Sequence, residues 1–169
     1  DRKDGFIYDL LHGLVDDEAV ILREARLLGL NITLRRAVLL VDAREYILMS
    51  SAQTNRSPND DEARNRAKTV IHSIVDCLLL PNDTICAYIG DGEIAVLKAS
   101  NTKNLQFWAN GSDGAETASP SWTNLHALKR AGTALLARLQ DDTGTPISIG
   151  LGRYHPGIQG LARSYQDAR

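Results

Sequence analysis

Residues 87–96 read Ala-Tyr-Ile-Gly-Asp-Gly-Glu-Ile-Ala-Val, two short apolar runs on either side of a Gly-Asp-Gly-Glu corner. Gly-Asp and Asp-Gly pairs between apolar runs are among the strongest signals for a β-hairpin, because glycine readily adopts the backbone angles of a tight turn. The stretch therefore predicts strands 84–89 and 93–99 joined at Gly90–Gly92. The same corner could instead hold a phosphate or a metal ion. The rest of the chain is needed to decide between a plain turn and such a binding site.

Working outward from the hairpin, the chain predicts one further strand and one helix on its N-terminal side. Ala37–Val41 is a continuous apolar run, which is typical of a central strand covered on both faces. Residues 59–80 have helical apolar spacing, with Ala67, Val70, Ile71, Ile74, Val75 and Leu78 facing inward, and Pro81 ends the helix.

On the C-terminal side, Thr123 can cap a helix that runs to Gly144, followed by a strand at 147–152 and a helix at 156–169. The resulting order, β-α-β-β-α-β, is that of the ferredoxin-like and nucleotide-cyclase palm folds. We therefore expect an α/β (α+β) domain with a mainly antiparallel sheet.

The first 35 residues predict extra helices that precede this core. An apolar stripe runs through Phe6, Ile7, Leu10, Leu11 and Leu14, and such a stripe should pack on the core or on a second copy of the chain. We expect an N-terminal helical segment at 1–35, a palm at 36–169 and a surface insertion at 100–121. The chain opens without Met and closes in mid-pattern at Arg169, as a fragment of a longer protein would.

Composition excludes several classes of function. The 169 residues carry a formal net charge of -2, which gives no basic footprint for nucleic acid. No apolar run approaches the ~20 residues of a membrane span, so no membrane contact is expected. Cys77 and Cys86 have no metal-like spacing, which fits reduced thiols and a cytoplasmic location.

Three motifs together resemble a degenerate GGDEF domain, the palm of diguanylate cyclases. They are Leu-Leu-Val-Asp at 39–42, Tyr-Ile-Gly-Asp-Gly-Glu-Ile at 88–94 and Ser-Ile-Gly-Leu-Gly at 148–152. Four more stretches, at 6–11, 26–30, 150–158 and 164–168, are similar to the GGDEF-like middle domain of sugar-diacid and purine-catabolism transcription regulators (CdaR/PucR type). That resemblance implies a sensor domain before this domain and a DNA-binding helix-turn-helix after it.

The resemblance also shows where cyclase chemistry would fail. Cyclases hold divalent cations with acidic residues at the end of the first strand and in the hairpin turn, and Asp42 and Glu93 match two of these positions. Asp91 stands where the motif has a glycine, Gly92 where it has an aspartate, and Arg44 where the strand end has a second aspartate. We therefore expect no enzymatic activity, no catalytic residue, no metal site and no cofactor.

Asp42, Arg44, Asp91 and Glu93 remain the candidates for a vestigial nucleotide or effector site. The alternative interpretation is that Asp42 and Glu93 are ordinary strand-end carboxylates at a solvated rim. The main hypothesis is a non-catalytic regulatory and self-association domain of a bacterial transcription regulator. It would act as a homodimer and reach DNA only through a domain absent from this chain. The alternatives are a palm that binds a small-molecule effector or nucleotide, and a divergent diguanylate cyclase.

Overall fold

The computed structural model describes residues 2–33, 36–49, 59–78, 84–99, 120–153, 155 and 157–169. Two helices come first, α1 (Arg2–Leu11) and α2 (Glu18–Leu27). The remaining elements are β1 (Arg36–Asp42), α3 (Arg44–Ile47), α4 (Asp60–Leu78), β2 (Ile85–Gly90), β3 (Glu93–Ala99), α5 (Pro120–Thr143), β4 (Ser148–Leu151) and α6 (Gly160–Ala168). In this part of the chain, no helix is long and apolar enough to cross a membrane.

The four strands form one sheet in the order β2-β3-β1-β4, and all neighbouring strands are antiparallel. The connection from β1 to β2 contains α4 and passes over β3, while the connection from β3 to β4 contains α5 and passes over β1. This arrangement consists of two interleaved β-α-β units, as in ferredoxin-like folds. The predicted α+β fold class is confirmed.

Strand β1 is central because both of its faces are covered. Leu39 and Val41 belong to one buried cluster, which also contains Leu135 of α5. Val38 and Leu40 belong to a second buried cluster on the opposite face. Since successive side chains of a strand point to opposite faces, two covered faces require an unbroken apolar run. The prediction of a central strand at 38–41 is confirmed.

The Gly-Asp-Gly corner is a tight hairpin turn, as predicted. Gly90, Asp91 and Gly92 all have positive φ angles, of 91°, 54° and 76°. Glycine adopts such angles without steric cost, and aspartate is among the few other residues that tolerate them. The corner therefore joins β2 to β3 with a short connection.

Helix α1 packs on the sheet of its own chain. Ile7, Leu10 and Leu11 are buried, whereas Leu14, the last residue of the predicted stripe, is 64% exposed. Asp4 Oδ1 accepts a hydrogen bond from the backbone amide of Tyr88, at 3.3 Å, and so fixes the first turn of α1 against β2. Most of the stripe is thus satisfied within one molecule.

Three details differ from the sequence predictions. Val75 is 38% exposed, because it lies at the border of the apolar face of α4. Helix α5 begins at Pro120, so Thr123 lies inside the helix and is not its cap; proline is well suited to a first helical turn. The final helix begins at Gly160. Most of the predicted insertion, 100–121, lies outside the described residues. The side chain of Leu78, which was predicted to face inward, also lies outside them.

Helix α6 packs directly against the backbone of β4. A β-carbon at Gly150 would overlap the carbonyl oxygen of Ala168, and one at Gly152 would overlap that of Ser164. Residues two apart share one face of a strand, so both glycines lie under the same helix. The buried Ser164 Oγ also accepts a hydrogen bond from the amide of Val38, at 3.0 Å. The Gly-Leu-Gly pattern thus permits close packing of the helix on the sheet.

Candidate functional site

Two acidic side chains meet where β1 ends and β3 begins. Asp42 is the last residue of β1, Glu93 is the first residue of β3, and the two are direct partners in the antiparallel register. Directly opposed residues of an antiparallel pair have neighbouring side chains. The strand pairing therefore brings together the two positions that the resemblance singled out.

A guanidinium group joins these two carboxylates. Arg44 Nε lies 3.1 Å from Asp42 Oδ1, and Arg44 Nη2 lies 3.5 Å from Glu93 Oε1. The backbone amide of Arg44 also donates to Asp42 Oδ1, at 3.1 Å. We call these three residues the Asp42–Arg44–Glu93 cluster. In it, one arginine offsets part of the repulsion between two acids.

The cluster is only partly open to solvent. The side chains of Arg44, Asp42 and Glu93 are 56%, 31% and 23% exposed. Burial and the nearby charge of Asp42 raise the pKa of Glu93, while the Arg44 and Arg169 cations oppose that rise. The hydrogen bond to Asp42 raises the pKa of Arg44, which therefore remains a cation.

Gly92 places the hairpin directly against Arg44. A β-carbon at position 92 would overlap the backbone of Arg44, and the carbonyl oxygen of Gly92 accepts a hydrogen bond from the amide of Ala43, at 2.9 Å. The amide of Gly92 donates to the hydroxyl of Tyr88, at 3.3 Å. The absence of an acidic side chain at this position therefore has a steric reason in this fold.

Asp91 faces a different feature. It lines a groove of about 470 Å³ between the hairpin, α1 and α4, together with Tyr8, Asp60, Arg64 and Tyr88 among others. Its charge acts only weakly on Glu93 and Arg44, compared with that of Asp42. The structure thus brings three of the four predicted residues into one cluster and places the fourth at the adjacent groove.

Two further residues, Tyr165 in α6 and Arg169 just after it, act on Glu93 through their charge or position. Burial, and then the negative charge of Glu93, raise the pKa of Tyr165. The guanidinium carbon of Arg169 lies 5.7 Å from the centre of the Tyr165 ring. Tyr165 lies in the stretch 164–168 that carries the family resemblance, but no local pattern places either residue near Glu93, because their proximity depends on the packing of α6 on the sheet.

The cluster does not fit a divalent cation. Of the described residues, two carboxylates converge there, and a guanidinium already lies between them, so an incoming cation would meet a fixed positive charge. Among the described residues, no group of three or more His, Cys, Asp or Glu side chains could hold a metal ion.

The fold and the hairpin corner define a palm of the nucleotide-cyclase type whose strand-end acids are joined by an arginine. The chain belongs to the GGDEF-like domain family, whose sequence profile matches residues 12–169. The match begins inside the segment 1–35 that was predicted to form the N-terminal helices. No curated protein and no solved structure matches the chain significantly.

Proposed function

We propose that this GGDEF-like domain is a non-catalytic regulatory domain of a transcription regulator of the sugar-diacid or purine-catabolism type. It couples a sensor that precedes it to a helix-turn-helix that follows it, and reaches DNA only through that second domain. The net charge of -2 supports this division, because DNA affinity of an isolated domain rests on clustered Lys and Arg.

The observation that carries the proposal is the position of Arg44 between Asp42 and Glu93. Diguanylate cyclase chemistry requires cations at this place to activate a ribose hydroxyl and to neutralise charge on the α-phosphate. Here the two remaining acids are engaged with a side chain of the same protein. The cluster then stabilises the corner and has no role in turnover.

The test is an assay of the purified protein with GTP and Mg²⁺ or Mn²⁺, followed by chromatography for a cyclic dinucleotide. We expect no product. Each electrostatic stabiliser removed from a transition state costs about 10²- to 10³-fold in rate, so two missing acids place turnover below detection. Product that forms with the parent protein and disappears in Glu93→Ala would refute the proposal in favour of a divergent cyclase.

A second candidate function is effector binding, and the groove beside Asp91 favours it. Its volume of about 470 Å³ lies in the range of small-molecule sites. Isothermal titration with GTP distinguishes the candidates: saturable binding without product, weakened by Asp91→Ala, would support an effector-binding palm.

Self-association is part of the main proposal, because helix-turn-helix regulators commonly read paired half-sites as dimers. Since α1 packs on its own sheet, the remaining apolar surface for a dimer includes the exposed Leu14 and Leu27. Sedimentation at high micromolar concentration tests this, and a strict monomer would contradict it. We also propose a cytoplasmic location, which agrees with two free cysteines.

A further inference from the structure

Helices α1 and α6 lie on the same face of the sheet and share one buried cluster. Ile7 and Leu11 of α1 belong to it, together with Leu161 and Tyr165 of α6. Helices α4 and α5 cover the opposite face, where Ile74 and Leu135 belong to the other cluster. The first and last helices of the described chain are therefore neighbours, although about 150 residues separate them in sequence.

A line of rings crosses this contact. The rings of Tyr8 and His12 are stacked, with centroids 4.0 Å apart, and the His12 ring lies 5.0 Å from that of Tyr165, tilted by 55°. His12 Nδ1 lies 2.8 Å from the carbonyl oxygen of Tyr8. Because a carbonyl only accepts, Nδ1 carries the proton, and this hydrogen bond holds the ring between the two tyrosines.

The line continues to the candidate site. Arg169 lies over the ring of Tyr165, and both residues interact electrostatically with Glu93. A change in the position of α6 would therefore alter the surroundings of Glu93. By the same geometry, it would alter the contact with His12.

We infer that α1 and α6 are energetically coupled through the His12 ring, so that loosening α1 loosens α6 while the helices on the other face keep their packing. This inference deepens the proposed function. The coupling itself depends on the contacts described above, and only the biological use of the coupling rests on the proposed function. Through the His12 ring, a segment before α1 would act on a segment after α6. Coupling between two elements is reciprocal, so perturbing α6 must also loosen α1.

The experiment is amide hydrogen exchange on the chain, resolved by segment, for the parent and for His12→Ala. We expect amides of α6 to exchange about 5- to 20-fold faster in the variant, since coupling free energies between protein sites commonly correspond to such factors. Amides of α4 should keep their rates. Asp9→Ala, at an exposed position of α1, is the matched control and should leave α6 unchanged.

Unchanged exchange in α6 while α1 exchanges faster in His12→Ala would overturn the inference. If His12→Ala unfolds the whole chain, Tyr8→Ala decides instead, because Tyr8 is 41% exposed and its removal leaves the core intact. In that variant, faster exchange in α6 supports the coupling and an unchanged rate refutes it.

Two variants of Tyr165 test the coupling in the reverse direction, from α6 to α1. Tyr165→Leu removes the ring, and Tyr165→Phe keeps it. Only the first should accelerate exchange in α1, and equal rates in the two would count against the ring contact. These outcomes are independent of the GTP assay. A cyclic dinucleotide product would refute the proposed function and leave the coupling intact.

Discussion

Gly92 lies directly against the backbone of Arg44, so closely that a β-carbon at position 92 would overlap it. The overlap is with the backbone of residue 44, so it does not depend on which side chain stands there. Restoring an acidic side chain at position 92 would therefore displace α3, and replacing Arg44 by aspartate would not remove that obstacle.

Two alanine substitutions at the corner separate backbone strain from overlap. Gly90 and Gly92 both have positive φ, but a β-carbon at Gly90 meets nothing within 4 Å. Gly90→Ala should cost about 1–2 kcal/mol, the penalty of a left-handed backbone. Gly92→Ala should cost about 1–3 kcal/mol more, because it adds overpacking. Urea unfolding of both variants measures the difference, and equal costs would show that α3 yields without penalty.

Arg44→Ala should raise the pKa of Glu93 further. The variant removes an attractive charge and leaves the repulsion from Asp42 in place. An NMR titration that follows the Glu93 carboxyl carbon measures the change. Arg138→Ala, which breaks the ion pair of Arg138 with Asp142 in α5, is the matched control and should leave Glu93 unchanged. A downward shift in Arg44→Ala would contradict the described geometry.

The raised pKa of Glu93 also predicts how stability depends on pH. The folded protein holds this proton more tightly than the unfolded chain does. The contribution of Glu93 to the free energy of unfolding therefore falls as pH rises from about 4.3 through the folded pKa. Glu93→Gln removes this dependence, so its stability relative to the parent should increase over that window and then level off. Unfolding in urea at stepped pH tests this, and the opposite slope would refute it.

Alanine substitutions at two glycines, one packed under α6 and one in α1, should have opposite effects on stability. Gly150→Ala should destabilise the protein by about 1–3 kcal/mol, because its β-carbon would overlap the carbonyl oxygen of Ala168. Gly5→Ala, in α1 with open space around it, should stabilise the protein by about 0.5–1 kcal/mol. Thermal unfolding of the two variants provides the comparison. A neutral Gly150→Ala would mean that α6 does not lie so close.

Ser164→Ala should cost about 1–3 kcal/mol, because it leaves the buried amide of Val38 without its acceptor. Thr133→Ala is a suitable control. The Thr133 hydroxyl donates to a carbonyl of its own helix, from an exposed position, so its loss should change stability by only a few tenths of a kcal/mol. Chemical denaturation of both variants measures these costs, and similar values would show that solvent reaches Val38.

The sequence predicted those parts of the fold that depend on neighbouring residues. The hairpin at Gly90–Gly92 and the central strand at 38–41 follow from local patterns. A tight turn requires glycine at particular positions, and burial on both faces requires a continuous apolar run. The proximity of Tyr165 and Arg169 to Glu93 could not be predicted in this way. It depends on how closely α6 approaches the sheet, which is a property of three-dimensional packing.

The sequence identified the residues of the candidate site, but only part of their arrangement in space. Asp42 and Glu93 were recognised as acids that match the cyclase pattern, and Arg44 as the residue that stands in place of its second aspartate. The contact of Arg44 with both acids depends on the pairing of β1 with β3 and on the short helix α3, which has too few residues to produce a periodic pattern. The separation of Asp91 from the other three residues follows from its left-handed backbone at the turn.

The bond between Asp4 and the amide of Tyr88 has a consequence for the behaviour of the protein at high concentration. Strand β2 forms one border of the sheet, and the unpaired backbone groups of a border strand can pair with another molecule. The carboxylate of Asp4 accepts a hydrogen bond from one of these groups, the amide of Tyr88, and α1 packs against β2 around this bond. Any proteolytic cut or mutation that detaches α1 would therefore open a template for intermolecular strand addition, and aggregation would accompany the loss of this helix.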